Sequence, residues 1–376
     1  MLAKTPPMGW NTWNTFGREI NDKLIRESAD AFIEHGLLAA GYQYVVIDDC
    51  WAEKQRDSVT GKIVPSKTKF PHGMNAISDY VHSKGLKFGM YSCVGVLTCE
   101  GYPGSHGHEF LDAQTFAEYG CDYLKYDYCG RPVTSNGELS YRRMGLALKA
   151  TGRDIIFSAC NWGIDEPWKW MRSAGAHLYR STGDIGDSFE SYKNIAWSQI
   201  GNLYGSAPGC FNDMDMLTVG MYSKGLVGAS DCTDGDYRSQ FALWCLSSSP
   251  LMLGCDIRKI TPLIRDLVTN KHLIRINQDE EARPPIVIQP FMMENCKVAV
   301  KHLSGGEFAF GFFNLTERDA DIPCFLADVG LSPHDGYGFE LTDVFTGENV
   351  GVYKELIKPK VPQRDCNVYL AKLVKT

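Results

Sequence analysis

Four acidic clusters sit at the ends of apolar, strand-prone runs in this chain, and each run is followed by a helix-like one. They read Ile47-Asp48-Asp49-Cys50-Trp51, Tyr123-Leu124-Lys125-Tyr126-Asp127, Tyr179-Arg180-Ser181-Thr182-Gly183-Asp184 and Phe211-Asn212-Asp213-Met214-Asp215. Strands that alternate with helices are parallel strands, because each helix returns the chain to the starting edge of the sheet. In a parallel barrel all strand C-termini open on one face, where active sites are built. Acids from several strands are then aimed at one pocket. Paired carboxylates in such a pocket are what glycosidic bond cleavage requires.

The alternation extends over the first 280 residues. Strand candidates at 8–13, 42–48, 87–92, 123–127, 154–159, 177–181, 210–213 and 250–255 are interleaved with helical patterns at 21–41, 76–84, 111–119, 139–149, 168–173, 189–202, 237–246 and 262–269. In the first helical pattern Leu24, Ala31, Phe32 and Leu38 recur at helical spacing behind an Asn21 cap. These units predict an α/β fold, a (β/α)8 TIM barrel over residues 1–280. A doubly wound open sheet would carry a glycine-rich phosphate loop after its first strand. Here Asn11-Thr12-Trp13-Asn14-Thr15-Phe16-Gly17 is aromatic instead. The stretch from Asn277 to Pro285 is polar and proline-bearing, like a linker. Beyond it, short alternating runs at 297–303, 307–315, 320–324, 338–344 and 368–374 predict a C-terminal antiparallel β-sandwich over residues 281–376.

A net charge of −7 over 376 residues argues against a nucleic-acid surface and for small or neutral partners. No apolar run reaches the roughly 18–20 residues of a membrane span. The opening Met1–Trp10 holds no apolar secretory core. The expected location is therefore cytoplasmic, unless a leader has been removed. The 13 cysteines include no C-x-x-C pair and read mostly as buried thiols. Homo-oligomerisation is left open.

Lys125 and Asp127 are two apart, so they share one face of a strand. Asp127 is a candidate nucleophile, and Lys125 a cation that would keep it ionised. The plain structural alternative is a buried ion pair, and a Schiff-base lysine is a third reading. Arg180 could fork onto sugar hydroxyls while Asp184 protonates a leaving oxygen, unless the two form only a loop salt bridge. Asp48 and Asp49 could hold adjacent hydroxyls, or one of them could cap a helix. Asp213-x-Asp215 suits a hard cation or a turn. Trp10, Trp13, Trp51, Tyr91 and Trp162 all fall at or just after strand ends, where flat sugar faces pack on such rings, although any one of them could be core packing instead. His106-Gly107-His108 lies in a glycine-rich loop and not at a strand end, so neither a metal nor any other cofactor is expected.

At this level of detail the residues resemble the α-galactosidases, or melibiases, of glycoside hydrolase family 27 in clan D. The resemblance is carried by Thr5-Pro6-Pro7-Met8-Gly9-Trp10-Asn11-Thr12-Trp13, Ile47-Asp48-Asp49-Cys50-Trp51, Lys69-Phe70-Pro71-His72-Gly73, His82-Ser83-Lys84-Gly85-Leu86-Lys87 and Tyr123-Leu124-Lys125-Tyr126-Asp127. Asp112-Ala113-Gln114-Thr115-Phe116-Ala117, Asn212-Asp213-Met214-Asp215-Met216-Leu217 and Ile276-Asn277-Gln278-Asp279 add to it. It implies a retaining hydrolase of small α-galactosides such as melibiose or raffinose, with Asp127 as nucleophile and Asp184 as acid/base. It also implies sugar contacts from Trp13, Asp48, Asp49, Tyr91, Lys125, Cys160, Trp162, Arg180, Asp215 and Met216, and a disulfide between Cys99 and Cys129. The chain departs from the family twice. The first loop, Phe16 to Ile20, lacks the cysteine that partners the Asp-Asp-Cys-Trp motif in secreted relatives. That supports a reducing compartment and weighs against the Cys99–Cys129 bond. Asn161 stands where many relatives carry Glu. Cousins that remove N-acetylgalactosamine have small residues in this loop, so the bulky Trp162 favours galactose. Cousins acting on β-L-arabinopyranose alter the Asp pair, which is intact here. An α-N-acetylgalactosaminidase and a non-catalytic galactoside-binding protein are the alternatives.

Overall fold

The computed structural model describes residues 1–376, the side chains of residues 201–203 excepted. Eight short strands form one parallel sheet: β1 (Met8–Asn11), β2 (Tyr44–Val46), β3 (Lys87–Cys93), β4 (Tyr123–Asp127), β5 (Ile156–Cys160), β6 (Leu178–Arg180), β7 (Phe211–Asp213) and β8 (Leu251–Leu253). Their order is β7-β6-β5-β4-β3-β2-β1-β8, so chain neighbours are sheet neighbours and the last strand lies beside the first. Past β7 the chain makes a parallel bridge from Leu217 to Leu253 on β8. The Leu217 N–H donates to Met252 O at 2.8 Å and the Gly254 N–H to Leu217 O at 3.0 Å.

Strand alternation divides the side chains between two cores. Tyr44, Val46, Tyr123, Ile156, Leu178, Met216 and Met252 cluster on the inner face, with Leu2, Ala3 and Trp13 packed against them. Val45, Leu124, Tyr126, Phe157, Ala159 and Tyr179 belong to the larger core shared with the helices. Those helices are α1 (Trp13–Phe16), α2 (Asp22–Glu34), α3 (Leu37–Ala40), α4 (Gly73–Ser83), α5 (Glu109–Glu118), α6 (Gly137–Ala150), α7 (Phe189–Gln199), α8 (Asp234–Leu246), α9 (Pro262–Val268) and α10 (Lys271–Asn277).

Two helical segments and the linker stretch differ from the sequence expectation. The pattern at 21–41 is two helices, because Gly36 adopts φ 71°, a left-handed conformation that ends α2. The segment at 168–173 forms only a 3-10 turn over Pro167–Lys169. A few residues confined between Pro167 and Gly175 are too short a stretch for a cooperative helix. The polar stretch that begins at Asn277 opens on the end of α10. Asn277 is fully buried and donates to Ser249 O at 2.8 Å. Asp279 accepts from Arg275 at 2.7 Å and from the Ser304 N–H at 2.9 Å. This start of the stretch is anchored, because buried polar groups need partners.

The remaining residues form antiparallel sheets. Six strands, β9 (Ile286–Ile288), β10 (Cys296–Leu303), β11 (Glu307–Asn314), β14 (Tyr337–Asp343), β15 (Asn349–Tyr353) and β18 (Asp365–Lys375), are ordered β15-β14-β18-β11-β10-β9. Two small sheets pair β12 (Ala320–Asp321) with β17 (Lys360–Val361) and β13 (Cys324–Phe325) with β16 (Leu356–Ile357). Val300, Phe310, Phe312, Phe339 and Leu341 of the large sheet share a core with Cys324, Ile357 and Val361 of the small ones and with Ile322 between them. The other face of the large sheet joins the core of the parallel sheet and its helices, through Ala299, Ala309, Phe313, Cys366 and Val368. There Trp197 of α7 meets Phe313 edge-on, ring centres 5.6 Å apart.

Candidate active site

Strand register assembles the site. Cys93 of β3 lies beside Asp127 of β4, Asp127 beside Cys160 of β5, Cys160 beside Arg180 of β6, and Arg180 beside Asp213 of β7. One row across the C-terminal ends of five strands thus holds two acids and a guanidinium.

A local device orients the acids. Asp48 Oδ1 accepts the Asp49 N–H at 2.9 Å, Asp49 Oδ1 the Cys50 N–H at 2.6 Å, Asp127 Oδ1 the Tyr128 N–H at 2.8 Å, and Asp215 Oδ1 the Met216 N–H at 2.6 Å. Where a strand stops, the next amide loses its ladder partner, and an aspartate can reach it. The second oxygen of each carboxylate then meets the site. Asp48 Oδ2 accepts from Lys125 Nζ at 2.8 Å and from Asn11 Nδ2 at 2.7 Å. Asp127 Oδ2 accepts from the Tyr91 hydroxyl at 3.2 Å. Asp215 Oδ2 takes Arg180 at 2.9 Å and the Ile185 N–H at 2.8 Å. Asp49 Oδ2 takes the Glu100 N–H at 3.3 Å.

These groups surround a cavity of about 380 Å3. Trp13, Asp48, Asp49, Tyr91, Lys125, Asp127, Trp162, Arg180, Asp184, Asp215 and Met216 all line it. Cys160 does not. It lies in a smaller hollow beneath, with Ser158, Tyr123 and Asp213, and its sulfur is 3.7 Å from Arg180 Nη1. Trp10 and Trp51 are core residues, their indole N–H groups donating to Cys255 O at 2.8 Å and Tyr91 O at 2.9 Å. Asn14, Cys99, Ile185, Leu226 and Val227 also line the cavity, although the sequence reading gave them no place there. Leu226 and Val227 come from the long loop between β7 and α8, where an apolar pair between glycines gives no sequence signal.

The two candidate acids have opposite surroundings. Asp127 is buried, and that burial pushes its carboxyl up to about 6, against the pull of Lys125 and the Tyr128 amide. This corrects the expectation that Lys125 would keep Asp127 low: Lys125, paired with Asp48, does pull it down, but burial outweighs that pull. The Asp184 side chain is 79% exposed and hydrogen-bonded to Arg180 at 2.9 Å. Partial desolvation raises it, but the Arg180 charge and hydrogen bond together hold it below the usual carboxylate range. Arg180, bound to both Asp184 and Asp215, is itself buried. Asp213 is pushed up to about 6, chiefly by burial.

The structure joins Cys99 to Cys129, with Cα atoms 5.3 Å apart, against the expectation drawn from the missing partner of Cys50. Cys50 and ten other cysteines are free. Among the described residues, the one group of potential metal ligands that converges is Cys99, Asp127 and Cys129. Its two sulfurs are bonded to each other, which removes the thiolates a metal would need.

Comparison with known proteins agrees with this geometry. Residues 5–279 match the family model described as Alpha galactosidase A. An alpha-galactosidase of Cyamopsis tetragonoloba is 40% identical over 370 residues, spanning 98% of this chain and 86% of its own length. The crystal structure of alpha-galactosidase I from Mortierella vinacea superposes with a TM-score of 0.92 at 31% identity, over 98% of this chain and 97% of its own. The Saccharomyces cerevisiae alpha-galactosidase with raffinose superposes with a TM-score of 0.92 at 25% identity, over 99% of this chain and 98% of its own.

Proposed function

The chain belongs to the alpha galactosidase A family and is a glycoside hydrolase of α-galactosides, and from that premise we propose how its residues divide the work. The enzyme retains configuration, with Asp127 as nucleophile and Asp184 as acid/base. The observation that carries this reading is one cavity lined by two carboxylates of opposite character, Asp127 buried at the floor and Asp184 exposed at the rim. Asp127 attacks the anomeric carbon while Asp184 gives its proton to the departing oxygen, leaving a glycosyl ester on Asp127. Esterification removes one negative charge from the cavity. Asp184, left as a carboxylate when its proton departed with the leaving group, is not driven to reprotonate once that neighbouring charge is gone, and it takes a proton from the attacking water.

Trp13, Asp48, Asp49, Tyr91, Lys125, Trp162, Arg180, Asp215 and Met216 hold the galactose. Trp162 in the wall favours galactose over its N-acetylated form. A cavity of about 380 Å3 suits a terminal galactose, and small α-galactosides of the raffinose type are the proposed substrates. We read the parallel sheet as a (β/α)8 barrel closed through the Leu217–Leu253 bridge, and the C-terminal sheets as a β-sandwich. A cytoplasmic location belongs to the same proposal: eleven free cysteines, Cys50 among them, favour it, and the Cys99–Cys129 bond weighs the other way. Thiol titration under denaturing, non-reducing conditions checks it, since further disulfides, above all one at Cys50, would overturn it.

Paired nitrophenyl glycosides of galactose and N-acetylgalactosamine, with NMR of the first-formed anomer, test substrate and stereochemistry. α-Galactose as the first product supports the reading; β-galactose would sink the double displacement. In Asp127→Ala all activity should vanish, and azide should restore a β-galactosyl azide.

A further inference from the structure

Three residues beyond Asp184 lies a carboxylate that the reaction does not use. Asp187 is 1% exposed, and among the described residues no Lys, Arg or His forms a salt bridge with it. Hydrogen bonds alone hold it. Its oxygens accept from the Tyr237 hydroxyl at 3.0 and 3.3 Å, and its Oδ2 accepts from the Ser223 N–H at 3.0 Å. Its own N–H donates to Val227 O at 2.9 Å. Burying a carboxylate with no cation costs several kcal/mol unless strong donors surround it, so this placement has a structural consequence to explain.

The consequence lies in what the bonds connect. Asp187 belongs to the segment between β6 and α7 that carries Asp184. Ser223, Val227 and Tyr237 belong to the loop after β7 and to α8. Asp184 projects from the first of these segments, exposed at the cavity rim, with Gly183 in open space behind it. On its C-terminal side the segment is pinned to the start of the β7–α8 loop by the Ile185 N–H on Asp215, and further along that loop by Asp187. The same Asp187 backbone seats Val227, which lines the cavity beside Leu226.

We propose that Asp187 is a positioning residue that fixes the acid/base segment against the β7–α8 loop, so that Asp184 meets the leaving oxygen at a wall formed by Leu226 and Val227. The proposal rests on the reading of Asp184 as acid/base. A displaced proton donor harms substrates whose leaving group needs a proton and spares those whose leaving group does not.

The test compares melibiose with dinitrophenyl α-galactoside in Asp187→Asn, Tyr237→Phe and Asp184→Ala, with melting temperatures measured in parallel. Asp187→Asn keeps the shape but replaces one acceptor by a donor. Its kcat/KM should fall about 10- to 100-fold on melibiose and less than about 3-fold on the dinitrophenyl substrate. Tyr237→Phe should show the same asymmetry more weakly, and it carries the test if Asp187→Asn does not fold. Equal losses on both substrates, or no loss on either, would overturn the role of Asp187. If Asp184→Ala itself loses both substrates equally, the acid/base reading fails first and takes this proposal with it. If only Asp184→Ala discriminates, Asp187 alone is refuted.

Discussion

Asp127 and Asp184 show how one sequence element, a strand-terminal acid, acquires two characters from its surroundings. If the two divide the work as proposed, the pair must carry one proton, on Asp184, whereas burial favours it on Asp127. Raising the pH through about 6 removes that proton from the pair, so kcat/KM should fall above about pH 6. Lowering the pH below the depressed range of Asp184 adds a second proton and should bring a second fall. An initial-rate profile that stays flat to pH 8 would contradict this. The same burial has a stability consequence. A carboxyl raised in the fold binds more protons folded than unfolded, so its contribution declines as pH rises from the ordinary 3.8 through about 6. Asp127→Asn keeps an acceptor for the Tyr128 amide and removes the charge. It should abolish turnover yet raise stability at pH 7 by about 1–3 kcal/mol, with the gain fading near pH 4 in urea titrations. Arg180 is the hinge of the rim because its Nη2 meets Asp184 and Asp215 together while its Nη1 faces the Cys160 sulfur. Arg180→Lys cannot reproduce that geometry, and kcat/KM should drop by a factor of about 100 or more. All of these residue types were legible in the sequence. The high proton affinity of Asp127 was not, because it depends on how deeply the fold buries that carboxyl, enough to outweigh the pull of Lys125.

At the level of elements, helix and strand ends do most of the placing. The cap of α8 is a reciprocal box in which the Thr233 side chain accepts the Asp236 N–H at 3.2 Å and Asp236 accepts the Thr233 N–H at 2.8 Å. Asp236 is fully buried and also takes the Tyr192 hydroxyl at 2.9 Å and Arg364 at 2.9 Å, so the cap joins α7, α8 and β18's approach. Thr233→Ala should cost about 1 kcal/mol, measurable as a lower urea midpoint. Lys301 on β10 is fully buried, donating to Ser248 Oγ at 2.5 Å and to Ile276 O at 2.8 Å. Burial lowers its ammonium to about 7, with Asp279 opposing that shift. An amine lowered in the fold binds fewer protons folded than unfolded, so its contribution to stability should rise with pH from about 7 towards 10.5. The stability difference between wild type and Lys301→Met should therefore shift in favour of the wild type between pH 6 and pH 9. A difference independent of pH would show that Lys301 stays charged. Sequence periodicity located the helices at 76–84, 111–119 and 139–149, each within a few residues of the α4, α5 and α6 observed. It gave no helix at α10, whose seven residues are held by the buried Asn277 and an Asn270 cap, features that only packing makes decisive.

For the whole molecule, the two sheet systems are joined by a core and by charge. Gly311 on β11 lies so near α8 that a Cβ there would meet Leu246 Cδ1 at 2.6 Å. Gly311→Ala should therefore lower stability by about 1–3 kcal/mol, seen as a lower melting temperature. Arg238 of α8 pairs with Asp365 of β18 across the same junction. A chain ended at residue 280 would expose the faces of Trp197, Trp244 and Leu246 that Phe313 and Val368 now share in one core. It should aggregate on size exclusion under conditions in which the full chain should not. The amino-acid sequence by itself determined the order of elements, the parallel sheet, and the acids at its strand ends. Those depend on local periodicity and on a one-residue reach from carboxylate to amide. Only the tertiary structure decided which carboxylate is buried, which cation serves which anion, that Cys160 lies beneath the cavity, and that Leu226 and Val227 wall it. Burial and charge pairing depend on groups brought together from separate strands and loops, and no window of sequence contains them both.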